Sequence, residues 1–160
     1  TIVVSPLVSL MKDQVGALVQ AGVAAAFLNN SLTDNQKALM LHRAREGWYK
    51  IIYVAPERLE MPGFQRFAQE RQISMVTVDE AHCISEWGHN FRPDYLKLPD
   101  HRRDLAIPQV LLLTATATPA VMADMQAKFA IEADDLVVTG FYRPNLDLAV
   151  IPLAGSASHV

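Results

Sequence analysis

Short runs rich in Val, Ile and Leu alternate with longer amphipathic segments along most of this chain. The runs that predict strands are residues 1–5, 24–29, 50–54, 73–78, 108–115 and 135–139. A strand that is apolar throughout is typical of a sheet buried on both faces, and parallel strands need a long crossover between them. We therefore expect an α/β fold, with a mostly parallel sheet that is covered by helices on both faces.

The segments between the strands predict helices with recognisable ends. Thr33 precedes a polar first turn, as an N-cap residue commonly does, and Thr118 precedes a proline that suits the first turn of a helix. The predicted helices span residues 7–21, 34 to about 46, 63–71 and 119–130, with another after Pro93. In the first of them, apolar residues from Leu7 to Val19 recur on one helical face, and Gly22 follows.

Composition limits the classes of function. The 160 residues suffice for one domain with its own core, and the net charge of −3 gives no overall attraction to nucleic acid. DNA binding would therefore need a local basic or aromatic surface. Cys83 is the only cysteine, which excludes an internal disulfide and indicates an intracellular setting, in cytoplasm, nucleoid or nucleus. No apolar run reaches the roughly 18 residues that span a membrane.

Two adjacent carboxylates, Asp79 and Glu80, follow the strand predicted at 73–78. Ligands of open parallel sheets bind at the carboxyl ends of the strands. Neighbouring strand residues point in opposite directions, so one carboxylate could hold a hydrated Mg²⁺ while the other orients or deprotonates an attacking water. Taken alone, the pair equally suits a loop start or a helix cap.

The residues around this pair carry a resemblance to a known family. DEAH at 79–82 is similar to motif II of superfamily 2 helicases, and CISEWGHNFRPDY at 83–95 resembles the aromatic-rich loop of the RecQ family of DNA helicases. SPLVSLMKDQ (5–14), YVAPERL (53–59), LTATAT (113–118) and FYRPNL (141–146) resemble, in family order, motif Ia, the motif Ib region, motif III and the junction between the two motor domains.

The resemblance implies a RecA-like fold of the P-loop NTPase type, truncated at its N-terminus. Residues 1–140 would form the first motor domain without its P-loop segment, and residues 141–160 the linker and the start of the second. The chain contains no GxxxxGK followed by Ser or Thr, the sequence of the phosphate-binding P-loop, and it begins without methionine in a strand. We therefore expect an internal piece of a longer polypeptide that does not hydrolyse ATP alone.

The resemblance also assigns roles near the nucleotide. Asp79 would act on Mg²⁺ through water, Glu80 would polarise the hydrolytic water, and His82 would couple the nucleotide site to motif III. The hydroxyls of Thr114 and Thr116 would bond this histidine or the aromatic-rich loop. Structural hydrogen bonding by His82 and capping by the two threonines are the alternatives.

The aromatic-rich loop is the predicted contact to single-stranded DNA. Bases stack on aromatic rings while arginine meets phosphate, which makes Trp87, Phe91 and Arg92 the expected contacts. Tyr95 is expected to pack instead. A helical stripe buried in a core is the alternative, and it is disfavoured by the glycine, asparagine and proline within the run.

Other candidate contacts are less specific. Ser5 and the backbone after Pro6 lie at a strand end that opens a helix, where a DNA phosphate could bind. Arg58 is either a DNA contact or the partner of Glu57 in a structural ion pair. The basic run 101–103 is typical of a solvated helix face. Zinc is excluded, because His82, Cys83, His89 and His101 lack the spacing of a zinc site.

The expected function is that of part of an ATP-dependent DNA helicase acting in DNA repair and recombination. It would use ATP and Mg²⁺ to translocate on single-stranded DNA, with 3′ to 5′ polarity as in RecQ relatives, and to unwind duplexes at junctions. The alternatives are another superfamily 2 translocase that does not unwind, and a nucleotide-independent DNA-binding or regulatory module. The sequence carries no signal for an oligomeric state.

Overall fold

A parallel sheet forms the centre of the protein, whose computed structural model describes residues 1–88, 90–140, 144–147 and 149–150. The strands are β1 (Ile2–Val4), β2 (Ala25–Leu28), β3 (Ile51–Val54), β4 (Met75–Val78) and β5 (Gln109–Leu112). They form one five-stranded sheet in the order β2-β3-β1-β4-β5, and every neighbouring pair is parallel. The predicted α/β class is confirmed, and each strand lies inside a predicted run.

Helices connect the strands, and their ends follow the predicted caps. They are α1 (Val8–Gln20), α2 (Asp34–Arg45), α3 (Pro62–Glu70), α4 (Pro93–Leu96), α5 (Leu98–Asp104) and α6 (Pro119–Phe129). Thr33 forms a capping box with Gln36, and the Thr118 hydroxyl accepts from the Val121 amide. Both caps satisfy amides that the first helical turn leaves without a partner. In the part of the chain described here, no helix is long and apolar enough to cross a bilayer.

One face of the sheet carries the main core. The strand register aligns two rows of side chains there, each 7% exposed or less: Ile2, Ile52 and Val76 in one row and Val4, Val54 and Val78 in the other. Phe64 of α3, Leu98 of α5 and Phe129 of α6 close this face and enclose a cavity of only about 20 Å³. This packing fixes the strand ends relative to one another.

Helix α1 buries a narrower face than its apolar pattern predicts. Met11 and Val15 are buried, whereas Leu10 and Val19 are 39% and 54% exposed. The helix contacts β2, which is an edge strand of the sheet and offers fewer neighbours than a central strand. Apolar surface is therefore left near the start of α1.

The sixth predicted strand, at residues 135–139, is wrong. The chain forms a short 3₁₀ turn at Ala133–Asp135 and then continues without a strand, and Val137 is 83% exposed. A strand needs a ladder partner, and the run at 135–139 pairs with no strand of the described sheet. β5 is paired on one side among the described residues, and its Leu111 is 43% exposed.

The predicted linker and second-domain start at 141–160 lie largely outside the described residues. Residues 144–147 and 149–150 are described and exposed, so the FYRPNL motif at 141–146 is only partly covered. The domain boundary after residue 140 stays a prediction.

The basic run 101–103 is only partly a solvated face. Arg103 pairs with Asp100 and Asp104 at the surface. Arg102 instead donates to the backbone carbonyls of Ile107, Pro108 and Phe129. The prediction of a solvated face was wrong for Arg102, because its guanidinium donates hydrogen bonds to these carbonyls at the start of β5 and the end of α6.

Candidate nucleotide and nucleic-acid site

Asp79 and Glu80 lie where β4 ends and the chain turns sharply. The Asp79 amide donates to the Val4 carbonyl at 2.8 Å, as the last bond of the ladder with β1. Glu80 then adopts a left-handed conformation, with φ 50° and ψ 45°, and leads into a 3₁₀ turn at Ala81–Ile84. A left-handed non-glycine residue costs roughly 1–2 kcal/mol, so the surrounding structure must hold this turn.

The Asp79 carboxylate is fixed by two hydrogen bonds. Its Oδ2 accepts from Ser5 Oγ at 3.1 Å, and its Oδ1 accepts from the Glu80 amide at 3.0 Å. Ser5 follows β1 and is fully buried, which places its hydroxyl against Asp79. In the turn after β1, the Leu7 side chain is exposed. A DNA contact at this turn would therefore fall on the residues after Ser5.

The two carboxylates fit a hydrated magnesium ion. The described residues contain no cluster of three or more His, Cys, Asp or Glu side chains that could hold a metal by themselves. Asp79 and Glu80 are partly exposed, and Mg²⁺ is commonly bound by one or two carboxylates plus water and phosphate oxygens. These two carboxylates thus suit a Mg²⁺ ion whose remaining ligands would be water and the phosphate oxygens of a bound nucleotide.

His82 joins this turn to the segment after β5. Its Nδ1 lies 3.3 Å from Glu80 Oε2, 2.8 Å from Thr114 Oγ1 and 3.5 Å from Thr116 Oγ1, and its side chain is 7% exposed. The structure thus brings together Glu80, His82 and both predicted threonines. Because a carboxylate can only accept, the contact with Glu80 favours a proton on Nδ1, which leaves Nε2 as an acceptor.

Asn90 is a site residue that the sequence reasoning missed. Its Nδ2 lies 3.5 Å from His82 Nε2, on the opposite side of the ring from Glu80 and Thr114. Asn90 belongs to the segment at residues 85–92, which we call the aromatic loop. His82 therefore lies between the Glu80 carboxylate and this loop. Only the position of Asn90 between aromatic residues could have signalled its role.

The described residues of the aromatic loop, 85–88 and 90–92, pack closely against the turn after β4. The buried Ser85 accepts from the amides of Trp87 and Gly88, at 3.3 Å and 3.0 Å. A Cβ added to Gly88 would lie 3.1 Å from the His82 carbonyl oxygen. Trp87 is 80% exposed at the tip of the loop. The loop thus presents a large aromatic ring to solvent from a closely packed base.

The Glu80 carboxylate and the aromatic loop line the same cleft, whose volume is about 500 Å³. Glu80 and His82 line one part of it, Phe91 and Arg92 another, and Thr116 a third. Arg92 is exposed and Phe91 is half-buried. A ligand in this cleft would contact groups from both predicted halves of the site at once.

Cys83, which lines the cleft, and Tyr95 are both buried. Burial raises the pKa of the Cys83 thiol, against the opposing effect of the Arg92 guanidinium. Burial also raises the pKa of Tyr95, which is fully buried and donates from its hydroxyl to the Asp79 carbonyl at 3.1 Å. Tyr95 is a packing residue, as expected, and it is also joined to the carboxylate turn.

Arg58 lies at the same edge of the sheet, after β3, but is not among the residues that line the cleft. Its guanidinium donates to Met61 Sδ, and Glu57 accepts from Asn30. The two neighbours therefore bond to other residues rather than to each other. The DNA contact predicted for Arg58 stays a prediction.

Comparison with known proteins identifies the family of this chain. The family model described as DEAD/DEAH box helicase matches residues 1–125. The chain is 45% identical over 152 residues to the ATP-dependent DNA helicase RecQ of Bacillus subtilis, covering 94% of this chain and 26% of that protein. It is 36% identical over 151 residues to the protein of the same name from Pasteurella multocida, with 94% and 24% covered.

A third relative and a solved structure agree with this. The probable ATP-dependent DNA helicase RecS of Bacillus subtilis is 40% identical over 160 residues, which cover 99% of this chain and 32% of that protein. The crystal structure of the Pyrococcus furiosus Hef helicase domain matches with a TM-score of 0.57 at 17% identity, over 82% of this chain and 27% of that one. The chain thus spans about a quarter to a third of the length of these proteins.

Proposed function

Because this chain belongs to the DEAD/DEAH box helicase family, we propose that it is part of an ATP-dependent DNA helicase of the RecQ type. In the whole protein, residues 1–140 are the first motor domain and residues 141–160 lead into a second. The domain couples ATP hydrolysis to translocation on single-stranded DNA and to unwinding at duplex junctions. The names of the relatives favour this function over a translocase that does not unwind and over a nucleotide-independent module.

The observation that carries the proposal is the position of His82 between Glu80 and the aromatic loop. Its Nδ1 lies 3.3 Å from Glu80 Oε2, and its Nε2 lies 3.5 Å from the side-chain Nδ2 of Asn90. Because the His82 ring contacts both Glu80 and the aromatic loop, binding of DNA to the loop can change the orientation of Glu80. This arrangement suits an enzyme whose hydrolysis responds to DNA.

The proposed roles follow from the contacts. Asp79, which Ser5 orients, binds Mg²⁺ through water, and Glu80 orients the water that attacks the terminal phosphate. Mg²⁺, when bound with ATP, would neutralise part of the negative charge of the phosphates. Thr114 and Thr116 couple this site to the segment after β5 through His82.

On the DNA side, Trp87 and Phe91 offer rings on which bases stack, and Arg92 meets phosphate. Arg58 and the turn after Ser5 are further proposed contacts to the DNA backbone. The overall charge of −3 means that this binding depends on these local groups.

Glu80→Gln in the full-length protein tests the hydrolytic role. Removal of a general base typically costs a factor of about 10² to 10⁴, so we expect DNA-stimulated ATP hydrolysis to fall at least about 100-fold while ATP binding changes less than about twofold. Glu70→Gln is the matched control, because Glu70 makes a surface ion pair with Arg45. A wild-type protein without DNA-stimulated hydrolysis, or a Glu80→Gln variant with the wild-type rate, would refute the proposal.

The sequence upstream of Thr1 gives an independent test. A GxxxxGK segment within about one domain length, roughly 100–150 residues, is expected there. Its absence would favour the nucleotide-independent module.

A further inference from the structure

The hydroxyl of Tyr95 meets a backbone acceptor that the sheet cannot satisfy. In the parallel ladder between β1 and β4, the Asp79 amide donates to the Val4 carbonyl at 2.8 Å. Continuation of this pattern would bring the amide of residue 6 to the Asp79 carbonyl. Residue 6 is proline, which has no N–H to donate. The ladder therefore stops with the Asp79 carbonyl lacking its regular partner.

Tyr95 supplies the missing donor from another element. Its hydroxyl lies 3.1 Å from the Asp79 carbonyl oxygen, and the residue is fully buried in α4. The bond spans 16 residues and joins the helix that follows the aromatic loop to the peptide that precedes Glu80.

The peptide that Tyr95 holds is the one at which the chain turns. Glu80 is left-handed at φ 50°, a conformation that its own side chain does not favour. Its orientation therefore depends on the contacts that hold the residues on either side of it, among them the Tyr95 bond to the Asp79 carbonyl and the Ala81 amide bond to the Leu113 carbonyl at 2.9 Å. Rotation of the Asp79 peptide would redirect the Glu80 side chain.

The same helix is attached directly to the aromatic loop. The Arg92 amide donates to the Cys83 carbonyl at 2.9 Å, and the Tyr95 amide donates to the Arg92 carbonyl at 2.9 Å. These two hydrogen bonds connect the end of the aromatic loop to Tyr95 over three residues. We propose that Tyr95 is a positioning residue, whose hydroxyl sets the orientation of Glu80 according to the position of the aromatic loop. This inference rests on the proposed hydrolytic function.

Tyr95→Phe in the full-length protein removes the hydroxyl and keeps the ring. Tyr49→Phe is the matched control, because Tyr49 is a partly buried tyrosine that packs against the core away from the cleft. We expect the kcat of DNA-stimulated ATP hydrolysis to fall about tenfold in Tyr95→Phe, with KM for ATP changed less than about twofold, which is the pattern of an interaction needed for the chemical step. Tyr49→Phe is expected to keep the wild-type kcat.

Amide hydrogen exchange provides a second readout that does not depend on activity. Exchange of the segment 79–84 is expected to accelerate in Tyr95→Phe, while exchange of β3 stays at the wild-type rate. Acceleration throughout the domain would mean a general loss of stability and would overturn the positioning role. A wild-type kcat together with unchanged exchange at 79–84 would overturn it as well. If the wild-type protein shows no DNA-stimulated hydrolysis, the proposed function fails, and unchanged exchange at 79–84 would still refute the bond's role.

Discussion

Thr114 Oγ1 lies 2.8 Å from His82 Nδ1, so one side-chain contact joins the segment after β5 to the turn after β4. The two strands are neighbours in the sheet, and their carboxyl ends meet at the same edge. Thr114 also accepts from the Thr116 amide at 3.2 Å, which fixes its hydroxyl. A change at either turn therefore reaches the other through a buried imidazole.

Thr114→Val should weaken this link without changing the size of the side chain. We expect DNA-stimulated ATP hydrolysis to fall about tenfold and the free energy of unfolding to drop by about 1 kcal/mol, because the buried His82 ring loses one of its hydrogen-bond contacts. Steady-state kinetics and denaturant unfolding measure the two effects. Thr77→Val, on the buried strand β4, is the control for the substitution itself. Equal kinetics in the two variants would contradict the coupling role.

Trp87→Ala should reduce DNA affinity without affecting the fold. Stacking of a base on an aromatic ring is worth about 1–3 kcal/mol, so the Kd for single-stranded DNA is expected to rise roughly tenfold. The side chain is 80% exposed, and the melting temperature should therefore stay unchanged. Fluorescence anisotropy with a labelled oligonucleotide measures the affinity.

Trp48→Ala is the matched control for that experiment. Trp48 is 59% exposed and stacks with Arg43, whose Cζ is 5.3 Å from the ring centroid, away from the cleft. We expect its DNA affinity to match the wild type. A loss of affinity as large as that of Trp87→Ala would show that exposed aromatic surface in general, rather than the loop, binds DNA.

Gly88→Ala should displace the aromatic loop from its base. A Cβ at this position would lie 3.1 Å from the His82 carbonyl and 3.3 Å from the Ser85 carbonyl, so the loop must move by a few tenths of an ångström. DNA-stimulated hydrolysis is expected to fall several-fold, as measured against Gly16→Ala. Gly16 lies in α1 with no atom within 4 Å of its added Cβ, and its change to Ala should instead stabilise the protein by about 0.5–1 kcal/mol.

Cys83 should make stability depend on pH on the alkaline side. Burial raises the pKa of its thiol in the folded protein above the value of about 8.5 in an unfolded chain. The unfolded state therefore loses this proton first, so the thiol's contribution is fully present below pH 8.5 and is lost as the pH rises towards the folded pKa. Denaturation midpoints of the 160-residue chain at pH 7.0 and 9.5 measure this. Cys83→Ala should show a smaller decrease, and an equal decrease in both proteins would contradict the assignment.

The strands could be predicted because their signal is local. Val- and Ile-rich runs define β1, β3 and β4, whereas the similar run at 135–139 forms no strand, since pairing depends on a partner that the run itself does not specify. Asp79, Glu80 and His82 could be found from their order in the chain. The contacts of Asn90 and Tyr95 could not, because they depend on the path by which the aromatic loop returns to β4. Pro6 indicates in the sequence that the Asp79 carbonyl lacks its regular donor. It does not indicate which residue donates instead.

The central position of β1 has a consequence for how the protein is made. Among the five described strands β1 is synthesised first, and its two neighbours, β3 and β4, follow about 50 and 75 residues later. Its apolar side chains therefore lack these neighbours until β3 and then β4 are synthesised, and parallel pairings over such distances form slowly. The Ser5–Asp79 bond can form only after β4 has been synthesised, so the Asp79 carboxylate is fixed late in the folding of the nascent chain.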